Sequence, residues 1–446
     1  MKKSARSVLS MILAVGLLFS MVACGSAPVT TLPPSSSNGE DSPTTTPSNT
    51  GSPVVEKKVI TTWNGFTGSD GSILKEIVDR YNAENTDGVI VKMDIIPWDN
   101  YFEKLPQAIA TGTAPDFVLQ GSDQLGNFCS NDSFQPVEDF FDSTGYDKSQ
   151  IMSVLYDMFT YNGKLMGIPM NTFGRYLYWN KSIFKEKGLD PETPPKTWDE
   201  LFEVAKKTTD PSKNYFGVAV PVQDNTLVMH YLMGNGISVV DAAAKKSTIN
   251  APEAINLITK LQDITMKQRL SPASTTGPGM DQVMFAGQLA LYINGPWLVN
   301  GLRENGIDFG ITTIPAGSAG QQGMLDGTGF SIPKTTSEEN KQLAYKFIKY
   351  WSSPEICKEW SLRNGFPPFV KGAVDDPEVK ADLVLSELTK SLDYAKPFLV
   401  GMITPPKLQS DAISPAMENI LYGGADVKKE LDACAASMDQ ILATEP

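Results

Sequence analysis

Histidine is almost absent from this chain: His230 is the only one in 446 residues. Hydrolytic serine chemistry normally recruits an imidazole to take up the hydroxyl proton, and a lone histidine at helical spacing in LVMHYLMG reads as a structural residue instead. Cysteine is scarce as well. Cys24, Cys129, Cys357 and Cys434 fit no zinc spacing, and with Cys24 set aside three thiols remain, so at least one is unpaired unless it bridges to another molecule. His, Cys, Asp and Glu do not cluster at ligand spacing anywhere, so no metal and no cofactor are expected. Positive charge is in deficit: 38 Lys and Arg against 51 Asp and Glu give a formal net charge of −13. That argues against nucleic acid or anionic lipid as a partner, because both need clustered cations. After the first 24 residues no segment is apolar enough to span a bilayer. The glycines of GTGF (327–330) and GSDGS (68–72) lack the strand-turn-helix setting of a phosphate loop. A glycoside-acting enzyme would need only two carboxylates, but nothing in the sequence pairs a particular two across a cleft.

The chain opens MKKSARSVLSMILAVGLLFSMVAC, with Lys2, Lys3 and Arg6 ahead of an apolar run at 8–19. Residues 1–23 are expected to be an export signal. Met21-Val22-Ala23-Cys24 resembles a bacterial lipobox, with Met21 where Leu is usual, after which Cys24 would be the lipidated first residue. An ordinary cleaved signal or a short anchor is the alternative, although the run falls short of the roughly 18 residues of a spanning helix. Residues 24–58 are dominated by Ser, Thr, Pro, Gly and Asn and read as a disordered tether, about 30 Å end to end on average.

From residue 59 strand and helix patterns alternate: VITTW at 59–63, helical spacing at 72–84, alternation at 89–95, a helix at 101–111, a buried strand at 117–119. Such a rhythm implies an α/β fold with mostly parallel sheets flanked by helices. It restarts after 169–175. In FAGQLALYINGPWLVNGL (285–302), an apolar strand at 289–293 ends at Asn294-Gly295-Pro296, and Trp297 stands on the first turn of the helix that follows. An indole beyond a strand's carboxyl end is poorly placed for a sheet core and well placed for a cleft.

Several blocks carry a resemblance: TTWNGFTGSDG (61–71), LPQAIATGTAPD (105–116), YNGKLMGIP (161–169), LYWNKSIF (177–184), PPKTWDEL (194–201), LYINGPW (291–297) and the stretch 416–442. In this order they are similar to the extracellular solute-binding proteins of ABC importers, and most of all to the maltose-binding and multiple-sugar-binding relatives. The resemblance implies a two-lobed periplasmic-binding-protein fold closing about a hinge. Lobe 1 would comprise 59–171 plus 331–373 and lobe 2 would comprise 174–326 plus 377–446, with crossovers near 171–175, 326–330 and 372–377.

It also implies ligand residues. Trp297 falls where the maltose-binding relatives stack an indole on a sugar, and Asp123 where they hold sugar hydroxyls with an aspartate. Gln120 replaces a stacking Trp, Gln124 an Arg, and Phe173 an acidic ligand residue. Asp224 keeps an acid in a segment that has lost its aromatics. Phe66, Thr67 and Asp70 are expected at the rim of the cleft, with Trp63 either there or in the core. Ser122, Asn171, Asp326 and Gly327 complete the expected set, and Arg175 either meets the ligand or forms a structural ion pair. The implied protein is a monomeric, non-enzymatic receptor at the bacterial cell surface or in the periplasm, held to the membrane by lipid on Cys24. It would deliver an oligosaccharide to ABC permease subunits. A receptor of the same fold for a polyamine, an anion or a peptide stays open as the alternative.

Overall fold

The alternation of strand and helix is realised from Lys58 onward in a computed structural model that describes residues 57–223, 225–273, 276–399 and 402–445. The expected leader, the tether up to residue 56, Cys24 and Asp224 lie outside the described residues.

Strands β1 (Lys58–Asn64), β2 (Val89–Ile95) and β3 (Phe117–Gly121) run parallel, with Lys58 opposite Val89 and Thr62 opposite Phe117. Between the first two lies α1 (Ser69–Glu84), which buries Ile73, Leu74, Ile77, Val78 and Tyr81, the i, i+1, i+4 spacing of one helix face. Helix α2 (Trp98–Thr111) leads to β3 and is ended by Gly112 in the left-handed region at φ +70°. Helix α3 (Ser122–Ser130) follows β3 without a gap. The sheet is extended by β4 (Phe134–Gln135), β5 (Ile168–Phe173), β10 (Gly323–Pro333) and β11 (Ala395–Pro397), to seven strands in all.

The chain leaves this sheet between Phe173 and Tyr176 and builds a second one of four strands, in the order β9 (Phe309–Thr313), β6 (Tyr176–Asn180), β8 (Leu289–Asn294), β7 (Phe216–Val218). In β6, Leu177 and Trp179 enter one apolar cluster and Tyr176 and Tyr178 another, so both faces are covered. That is why β8 is a continuous apolar run, buried from end to end. The fold is α/β and two-lobed, as expected. Strand directions are more mixed than the alternation implies: β10 runs antiparallel to β3, β4 and β5, and β6 antiparallel to β8 and β9. The reason is topological. A strand that passes from one sheet into the other, or returns from it, has no crossover helix within its own sheet to set it parallel.

Helices α7 (Glu338–Trp351) and α8 (Pro354–Asn364) close the first core. The second lobe carries α4 (Trp198–Thr208), α5 (Thr226–Gly234) and α6 (Leu298–Glu304). Past Ala373 of the first core, Val379, Leu385 and Leu388 join the cluster under the second sheet, and Ala395 comes back to the first. Strand β11 then touches the first sheet again through Gly323↔Ala395, and Leu408 to Leu442 return to the second core. Cys129, Cys357 and Cys434 form no disulfide, and the last two are buried.

Two positions carry stability that can be measured. Trp351 is fully buried, packs against Phe330 and Trp360, and donates its indole N–H to the Met170 carbonyl at 2.9 Å. Trp351→Ala is expected to cost about 3–5 kcal/mol in urea unfolding, and a loss below about 1 kcal/mol would contradict this packing. His230 on α5 is also fully buried: Nδ1 meets the Thr226 carbonyl at 2.7 Å and must carry the proton, so Nε2 accepts from the Met324 N–H at 3.3 Å. Burial first, then the charge of Arg175, lowers its pKa from 6.5 to about 4, against the opposing pull of the Thr226 bond. Between those values the unfolded chain binds a proton that the folded one refuses. Its contribution is complete above pH 6.5 and falls by about 3 kcal/mol as pH drops to 4. The stability advantage of the wild type over His230→Gln should shrink by that amount across this window; a difference independent of pH would contradict the assignment.

Candidate functional site

The two residues between β5 and β6 set the geometry. At Gly174 a Cβ would lie 2.9 Å from the Ser391 hydroxyl, and its N–H donates to the Tyr176 hydroxyl at 3.2 Å, which in turn meets Ser391 Oγ at 3.0 Å. Next to it, Arg175 Nη1 reaches Asp326 Oδ2 at 3.2 Å. Asp326 stands on β10 directly opposite Phe173 of β5. The Arg175 guanidinium carbon also lies 5.0 Å from the Trp297 ring centre and 5.4 Å from that of Phe173. The rings of Phe173 and Trp297 meet edge to face at 5.5 Å, and Phe173 makes the same kind of contact with Phe366 at 5.7 Å. Arg175 Nε has no hydrogen-bond partner among the described residues.

Trp297 immediately precedes α6 and is half-buried. Its ring lies against Gly295, where a Cβ would come within 2.2 Å of the indole, so the glycine is required by close approach. Strand β8, the Gly-Pro turn and the start of α6 thereby aim an indole from the second lobe at residues of the first.

On the first lobe, Asp123 sits in the first turn of α3, exposed to solvent, with Gln124 Nε2 donating to its Oδ2 at 2.9 Å. The protein around it nevertheless raises its pKa: partial loss of hydration is the larger cause and the negative charge of Asp326 the second. Ser122 Oγ accepts from the Gly327 N–H at 3.3 Å, and Asn171 Oδ1 accepts from the Thr328 N–H at 2.9 Å. Asn171 Nδ2 and Gln120 Oε1 are buried and have no partner among the described residues. Asp123, Ser122, Phe173, Arg175, Asp326, Gly327 and Trp297 therefore converge where the chain crosses between sheets.

The amino-terminal candidates are placed differently. Phe66, expected at the rim, is 7% exposed and sits between Trp98 and Trp360 at 5.8 and 5.9 Å, because the turn after β1 folds its ring back onto the core. Asp70 braces the start of α1, its Oδ1 accepting from the N–H groups of Gly68 at 3.2 Å and Gly71 at 2.8 Å; burial still raises its pKa against those donors. Trp63 is half-buried against the first core. Thr67 is exposed and, with Gly68 and Ser69, faces Asn300 and Arg303 of α6 across a groove of about 610 Å³. Asn300 Nδ2 donates to Asn364 Oδ1 at 3.2 Å beside that groove.

Sequence reasoning left out Phe366, which backs Phe173, and the Tyr176–Ser391 pair, whose members are 215 residues apart. Neither has a local pattern that would reveal it. Among the described residues no group of three or more His, Cys, Asp or Glu is arranged to hold a metal, and no helix is long and apolar enough to cross a membrane.

A curated relative, the sn-glycerol-3-phosphate-binding periplasmic protein of Escherichia coli O6:K15:H31 (strain 536 / UPEC), is 27% identical over 408 residues, covering 85% of this chain and 91% of its own. An ABC transporter solute-binding protein from Thermotoga lettingae, bound with α-D-tagatose, superposes with a TM-score of 0.78 at 22% identity, over 86% of this chain and 100% of the other. An ABC substrate-binding protein from Listeria monocytogenes in complex with cycloalternan gives 0.77 at 23% identity, over 87% and 99%. Residues 76–385 match the model of one family, and the chain belongs to it: the bacterial extracellular solute-binding proteins.

Proposed function

We propose that this protein is the substrate-binding component of an ABC importer that captures a neutral oligosaccharide between its lobes and presents it to a membrane permease without changing a bond in it. The carrying observation is the convergence at the crossing: the Trp297 indole comes from the second lobe, Asp123 and Ser122 from the first, and Asp326 from the strand on which the chain returns between them. A pyranose offers one face of C–H bonds and a rim of hydroxyls, which an indole and carboxylate acceptors match respectively. Structural relatives bound with tagatose and cycloalternan support a sugar class. The lobes would be 59–171 plus 331–373 and 174–326 plus 377–446. Export, with lipid on Cys24 holding a monomer at the outer face of the membrane or in the periplasm, belongs to the same proposal.

The curated relative that binds sn-glycerol 3-phosphate makes an anion the competing reading. The charges speak against it. Asp326 already raises the pKa of Asp123, and the cation at the crossing, Arg175, is paired with Asp326. A phosphate would add a further negative charge there.

Calorimetry of residues 57–446 against mono-, di- and oligosaccharides and glycerol 3-phosphate tests this. An oligosaccharide is expected to bind and the phosphate to fail; the reverse would overturn the sugar reading. Trp297→Ala should weaken binding by about 2 kcal/mol or more, the size of an aromatic anchor, and an unchanged affinity would remove Trp297 from the site. Asp123→Asn should lose less but alter sugar preference, and identical profiles across the panel would count against its role.

A further inference from the structure

Glu445, just beyond the helix Val427–Leu442, is committed to a distant loop. Its Oε1 accepts from the N–H groups of Ile403 at 2.9 Å and Thr404 at 2.7 Å and from the Thr404 hydroxyl, while Oε2 accepts from Ile403 N–H at 3.1 Å. Lys245 Nζ donates to the Glu445 carbonyl at 3.1 Å. One carboxylate thus fixes the backbone that opens the helical run beginning at Pro405.

The same backbone lies on α3 of the other lobe. At Gly126 a Cβ would stand 2.1 Å from the Met402 carbonyl oxygen, 2.8 Å from its carbon and 3.4 Å from Ile403 N. Leu125 and Phe128 of α3 belong to the first core, whereas Met402 and Leu408 pack with the second, so this is a contact between lobes. Gly126 follows Asp123 by three residues, which puts both on one side of the helix.

We propose that Glu445 is a positioning residue: by clamping Ile403 and Thr404 it presses the Met402 backbone onto Gly126, steadying the helix that carries Asp123 and holding the lobes together on this side. It acts through the loop and touches no ligand. The contact is made entirely within this chain, so its test does not depend on which solute binds.

Hydrogen exchange of the ligand-free protein separates this from a merely local cap, because amide protection reports the opening of each segment on its own. In Glu445→Ala, amides of 122–130 are expected to exchange at least tenfold faster, in Glu445→Gln by a smaller factor, and those of 338–351 at the wild-type rate. Gly126→Ala, a change that by propensity favours a helix, should speed exchange at 403–413 with Glu445 still present. Acceleration confined to 403–413 in the Glu445 variants would overturn the proposal and leave a local cap. Uniform acceleration across the protein would overturn it as well. Should Glu445→Ala fail to fold, Glu445→Gln and Gly126→Ala decide the matter by the same criteria.

Discussion

Arg175 stands on the passage from the first sheet to the second, and its partner Asp326 stands on the strand that brings the chain back. The ion pair between them therefore joins two of the places where the backbone crosses between lobes. Its cation is largely withdrawn from water, and burying it is tolerable only because a carboxylate lies at 3.2 Å and two aromatic rings flank it within 5.4 Å. One of those rings is Trp297, delivered from the second lobe by a strand, a glycine-proline turn and the start of a helix. The crossing between the lobes and the candidate ligand surface thus share the side chains of Arg175, Asp326 and Trp297.

The electrostatics of this region bear on the solute. Asp123 holds a proton more readily than an ordinary carboxyl because it has lost hydration and faces Asp326. Such a carboxylate, partly dehydrated and beside another negative charge, gains from neutral hydrogen-bond donors. The hydroxyls of a sugar are donors of that kind and bring no charge. A cation would gain too, but the aromatic surface beside these acids is already covered by Arg175. Both facts favour the proposed neutral polyol over a charged solute.

Much of this was legible in the residues. Local patterns carried the strand and helix order, since burial period and turn chemistry act over a few residues: β8 is the apolar run read at 289–293, and Asp123, Trp297 and Phe173 stand at the ends of elements, the last two half-buried against the first core. Arg175 had two readings, and its pairing with Asp326 realises the structural one while leaving Nε unpartnered among the described residues. What failed was set by tertiary packing. Phe66 lies in a motif that looks like a rim, but Trp98 and Trp360, the latter almost 300 residues later, close over it. Sheet direction escaped for a related reason, because alternation of elements does not say that β10 returns antiparallel. The Glu445 clamp has no sequence signature either: an acid beyond a helix is ordinary until its partners, 41 and 42 residues away, are seen.

The central claim is that a sugar is held where the chain crosses between lobes. It is tested most directly by crystallising the protein with the oligosaccharide that binds it most tightly. The account predicts density for a sugar ring against the Trp297 indole with a hydroxyl within hydrogen-bond distance of Asp123. A ring bound elsewhere, with Trp297 and Asp123 both untouched, would contradict it.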